Sequence, residues 1–134
     1  MRCGRCSNAI ALRHPTRPRE VEGELCGALA QRERPDWEPL IALVGLDVVG
    51  CFMWMNELVL SDGTRLHAYK SIATRRYLHL AVDGRAFAER ANDRFERVTP
   101  LAALEAAFAG WEDLYPPPRD PEAVRALLAR HRAS

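Results

Sequence analysis

Two Asp-Gly pairs, Asp62-Gly63 and Asp83-Gly84, each stand between runs rich in apolar and β-branched residues. Glycine takes up positive φ at no steric cost and Asp favours a local side-chain turn, so each pair specifies a tight reversal. The run GCFMWMNELVL leads into the first pair; Tyr77 to Val82 leads into the second, and Arg85 to Arg90 returns from it. Asn92-Asp93 marks a third reversal, followed by Phe95 to Val98. Successive short turns force neighbouring strands to run antiparallel, which predicts a meander of about five strands.

Helical signals flank the strands. Val21, Leu25, Ala28 and Leu29 recur at helical spacing between Pro18 and Arg34, and a second helix starts at Asp36 as N-cap with Leu40, Leu43 and Val44 inward. After the strands, Thr99-Pro100 and Asp120-Pro121 repeat a cap followed by proline at the first helical position. The stripes Leu101, Leu104, Phe108 and Val124, Leu127, Leu128 complete those two helices, with Pro116-Pro117-Pro118 as a stiff connector. The expected architecture is α+β, an antiparallel β-meander flanked by two N-terminal and two C-terminal helices. Residues 1–15 read as a flexible tail and residues 16–134 as a single domain.

At 134 residues the chain is long enough to bury a core without staples. No secretory h-region follows Met1, and no stretch reaches the roughly 18 apolar residues of a membrane span. With no export signal, the four cysteines point to reduced thiols and a cytoplasmic setting. The net charge of +1 excludes a globally basic nucleic-acid binder. Eighteen of the nineteen basic residues are Arg, a bias that lowers the weight of any one arginine as a phosphate ligand.

The lone lysine, Lys70, lies in the segment His67 to Leu80, with two of the four histidines and two of the three tyrosines. A two-residue turn at Asp62-Gly63 would pair Leu58 with His67 and Asn56 with Tyr69. A five-residue loop from Ser71 to Arg75 would then pair His67 with His79 and Tyr69 with Tyr77. That register gathers Met53, Met55, Val59, Leu66, Ala68, Leu78, Leu80, Val82 and Phe87 as a core face. The other face shows Trp54, Asn56, Arg65, His67, Tyr69, Tyr77 and His79, with Arg75 and Arg76 at its edge. Such a polar-aromatic face either lines a site or lies beneath a helix.

Chemistry can be assigned to several members of this set. His67 and His79 are candidates for acid-base catalysis because imidazole titrates near neutrality. Lys70 is a candidate amine nucleophile, although its placement diagonally from Glu57 also suits a simple ion pair. Arg75 and Arg76 with Tyr69 and Tyr77 form a basic and aromatic patch suited to a small anionic ligand or single-stranded nucleic acid. Cys3 and Cys6 have zinc-knuckle spacing without a second knuckle, so no metal or other cofactor is expected. Gly-rich phosphate loops, GxSxG elbows and HExxH pairs are absent from the sequence. The expectation is a non-enzymatic binding or interaction module using that face, with a small enzyme built on His67 and His79 as the alternative.

Overall fold

The computed structural model describes residues 24–30, 34–91 and 93–133. The expected tail, with Cys3 and Cys6, lies outside the described residues. The described chain mixes helix and strand as expected, but its sheet is closed. Six antiparallel strands form a barrel: β1 (Glu24–Leu29), β2 (Phe52–Leu60), β3 (Arg65–Ser71), β4 (Tyr77–Ala81), β5 (Ala86–Ala91) and β6 (Arg94–Val98). Helices α1 (Glu38–Val44) and α2 (Leu46–Val49) lie between β1 and β2; α3 (Pro100–Ala107) and α4 (Pro121–Ala133) follow β6.

The sixth strand is the largest correction to the sequence reading. Helical spacing suggested a helix across Pro18–Arg34, yet Glu24–Leu29 is strand β1, paired to β2 on one side and β6 on the other. Pairing both open edges of the meander satisfies two rows of backbone groups at once, which outweighs a modest local helix preference. Gly27 makes this possible. A Cβ there would lie 2.8 Å from the Phe95 ring, so only glycine lets β1 close over that side chain without a shift.

The turns also differ in length from the expectation, and this decides every register. Leu60 N–H donates to Thr64 O (2.7 Å) and Ala81 N–H to Arg85 O (2.8 Å), so both hairpins have three-residue loops. Gly63 and Gly84 take φ of 93° and 98° at the last loop position. Asp62 Oδ1 accepts from Thr64 N–H and Asp83 Oδ1 from Arg85 N–H, the same local clasp used twice. The third hairpin closes between Ser71 and Arg76 over four residues, with Arg75 at φ 65°. As a result Tyr69 faces Trp54 and Leu78 across the ladders, and His67 faces Glu57 and Leu80. The expected pairs His67–His79 and Tyr69–Tyr77 do not form.

A bulge at Met55 adds a second shift. Trp54 aligns with Tyr69 and Asn56 with Ala68, leaving Met55 as the extra residue. Residues two apart normally share a face; here Trp54 points outward and Asn56 inward.

Two cores result. Leu25, Leu60, Leu66, Ala81, Phe87 and Phe95 fill part of the barrel interior. The outer surface of β2 to β5, including Phe52, Tyr69, Leu78, Leu80 and Ala86, packs against Leu40, Val44, Leu104, Phe108, Val124 and Leu127 of the helices. The cap signals hold: Thr99 Oγ1 accepts from Ala102 N–H and Asp120 Oδ1 from Ala123 N–H. Asp36, expected as N-cap of the second helix, instead lies one residue before the cap: Trp37 is the N-cap of α1, and Asp36 Oδ1 accepts from Glu38 N–H.

Candidate functional site

The polar and aromatic residues singled out in the sequence are divided by the barrel wall into two groups. On the outside, beneath the segment that enters α1, His67 and Tyr69 are 0% exposed. Tyr69 donates its hydroxyl to the Asp36 carbonyl (2.6 Å), and burial together with the Asp36 charge pushes its ionisation far up. The Trp54 indole N–H donates to His67 Nδ1 (3.0 Å). Because an indole nitrogen can only donate, His67 is fixed as the tautomer with its proton on Nε2, and that atom lies 3.7 Å from Asp36 Oδ2. Glu57, 1% exposed, accepts from Arg65 at 3.1 Å. Tyr69, Trp54 and Arg65 thus each tie the barrel wall to a neighbour by a hydrogen bond, while His67 Nε2 is buried without one among the described residues.

The expected Lys70–Glu57 pair is absent for the same reason of register. Glu57 lies on the outer face, whereas Lys70 aligns with Met53 and Tyr77 on the other and places its Nζ 5.7 Å from the Tyr77 ring centroid. Arg75 and Arg76 are exposed on the β3–β4 loop.

The second group faces inward at the end of the barrel that carries the β3–β4 and β5–β6 turns. There a cavity of about 440 Å³ is bordered by Asn56, Ala68, Tyr77, His79, Glu89, Asp93 and Phe95. Its walls arise from simple alternation: His79 pairs with Phe87, and Glu89 pairs with Phe95, so His79, Phe87 and Phe95 are buried on the inner side while Glu89, on the same side, is exposed at the rim. His79 is 4% exposed, stacked on Tyr77 (5.7 Å, 13°) and met edge-on by Phe95 (4.9 Å). Its ring makes no hydrogen bond among the described residues. Burial pushes its pKa down to about 4, so the ring is neutral at physiological pH. Asn56 Oδ1 is likewise buried without a hydrogen-bond partner among the described residues.

Glu89 and Asp93 were not anticipated as site residues. Loss of solvent and the neighbouring Asp93 charge raise the Glu89 pKa, partly offset by a hydrogen bond from the Asp93 backbone. The signal available in the sequence was an acid two residues beyond Phe87, at an inward position of a strand.

The mouth also opens sideways. β4 and β5 pair only at His79↔Phe87 and Leu80↔Ala86 and then part. An outer groove of about 360 Å³ bordered by Arg76, Arg90 and Ala102 shares Tyr77, His79 and Glu89 with the inner cavity. His79 thus borders both openings.

By architecture the described strands make a closed six-stranded antiparallel barrel with polar residues at one end. Comparisons with protein-family models, curated proteins and solved structures returned no match. Among the described residues no helix is long and apolar enough to cross a membrane, and no cluster of three or more His, Cys, Asp or Glu has metal-binding geometry.

Proposed function

We propose that this chain is a cytoplasmic, non-enzymatic binding module that takes a small ligand into the barrel mouth, with Asn56, Tyr77 and His79 as its contacts. One observation carries the reading: His79 is almost fully buried, has no hydrogen-bond partner among the described residues and borders a cavity of about 440 Å³. Buried polar groups are nearly always satisfied, and Asn56 Oδ1, buried without a hydrogen-bond partner among the described residues on the same cavity wall, supports a ligand that completes the site. The buried thiol of Cys51, which forms no disulfide, accords with a reducing compartment.

Binding is preferred to acid-base catalysis on geometric grounds. His67 and His79 face opposite sides of the wall, and the Nδ1 of His67 is already engaged by Trp54. A ligand screen followed by two-dimensional NMR tests the proposal. Ligands should shift the signals of Asn56, Tyr77 and His79 together, and Asn56→Leu should remove the effect in a folded protein. Shifts confined to the Arg75–Arg76 loop would place the binding surface elsewhere.

A further inference from the structure

The charge and chemistry of the mouth narrow the kind of ligand. Its charged lining residues among those described are Glu89 and Asp93, and no described Lys or Arg lines it. No ion pair involving either carboxylate occurs among the described residues. They are close enough that Asp93 disfavours ionisation of Glu89, a repulsion that a cation placed between them would relieve.

The remaining walls suit the same guest. Tyr77 and Phe95 present aromatic surface, and Lys70 Nζ lies 5.7 Å from the Tyr77 ring centroid, within the range of a cation–π contact. His79 stays neutral and buried between these two rings, and its ring nitrogen without a partner among the described residues can accept from an N–H donor. Asn56 adds an amide that makes no hydrogen bond among the described residues.

We infer that the mouth selects a small organic cation, an ammonium or amidinium group on a flat apolar body, with the charge at Glu89 and Asp93 and the body against Tyr77 and Phe95. This deepens the proposed function and rests on the mouth being the ligand site. Arg76, from the basic loop, borders the outer approach and not the chamber lining, so the charge preference inside is opposite to the one that loop suggests.

The test uses the full chain and three probes of matched shape: benzylamine, benzyl alcohol and benzoate, titrated at pH 7 while the His79 and Tyr77 NMR signals are followed. Benzylamine should bind at least tenfold more tightly than either of the others. Glu89→Gln and Asp93→Asn should each weaken benzylamine several-fold while leaving benzyl alcohol unchanged; Asn suits the positive φ of 65° at position 93. Equal binding of benzyl alcohol or benzoate would overturn the cation preference but leave the mouth as the ligand site. Silence of His79 and Tyr77 toward all three probes would overturn both.

Discussion

His67 and His79 lie on opposite faces of a single layer of sheet. The first is pinned by Trp54 beneath the segment that enters α1, and the second stands between Tyr77 and Phe95 in the barrel mouth. Two residues of one type therefore have separate tasks, fastening on one side and ligand contact on the other, and substitutions should separate them.

The stability of the protein should depend on pH through His79. Its pKa is near 4 in the fold against 6.5 for a free imidazole, so on acidification the unfolded chain takes up the proton first. The stabilising contribution of the neutral ring is complete above about pH 6.5 and is lost progressively towards pH 4, amounting to about 3 kcal/mol. Urea unfolding of the wild type and His79→Leu at steps between pH 7.5 and 4 measures the difference. Parallel pH profiles would show that His79 does not carry this dependence.

Closure of the barrel should weaken on adding one methyl group at position 27. Gly27→Ala forces the new Cβ against the Phe95 ring, 2.8 Å away, and against Leu60 at 3.2 Å, a destabilisation of about 1–3 kcal/mol by overpacking. Thermal unfolding reads this directly, and Phe95→Leu in the same chain should recover part of the loss. A Gly27→Ala variant as stable as the parent would mean that β1 does not seat against Phe95.

Tyr69 is expected to behave as a core residue with one polar tether. Tyr69→Phe removes only the hydrogen bond to the Asp36 carbonyl and should cost about 1 kcal/mol. Tyr69→Ala also opens a cavity in the helix-facing core and should cost about 3–5 kcal/mol. Binding at the mouth should survive the first change, as judged by the same NMR titration. A Tyr69→Phe protein that stays folded but no longer binds would instead give Tyr69 a direct part in recognition.

Arg65 and Lys70 provide a matched pair. Arg65→Ala strips a hydrogen bond from the buried Glu57 carboxylate and should cost about 2 kcal/mol. Lys70→Ala loses only the contact over the Tyr77 ring, about 0.5–1 kcal/mol. Chemical denaturation of the two variants side by side decides the order; a larger loss at Lys70 would contradict the register of β3.

The parts of this fold that are legible in the sequence are those fixed within a few residues. Asp62-Gly63, Asp83-Gly84, Thr99-Pro100 and Asp120-Pro121 form the turns and caps that their chemistry predicts. The register depends on something finer, whether an Asp-Gly pair closes a loop of two residues or of three, and both are compatible with glycine at positive φ. The strand β1 is hidden for a different reason. Leu25, Ala28 and Leu29 fit a helical stripe, and only the two open edges of β2 and β6 make a strand the better solution. At the mouth, Asn56, Tyr77 and His79 were legible as unusual residue types. Glu89 and Asp93 were not, because an acid looks ordinary until alternation from Phe87 and the β5–β6 turn places it on an inner wall.

The extra residue at Met55 gives β2 a spare position. Trp54 and Asn56 already occupy successive rungs opposite Tyr69 and Ala68, so a chain lacking Met55 would keep the Asn56 amide in the chamber and the Glu57 carboxylate on the wall. Drawn into the ladder as an ordinary strand residue, Met55 would instead turn Asn56 outward and drive Glu57 into the barrel, with no letter of the sequence altered. The second strand of this fold can thus shorten by one codon without exchanging the chemistry of chamber and wall, and β5 holds a like spare position at Arg90, between Glu89 and Ala91.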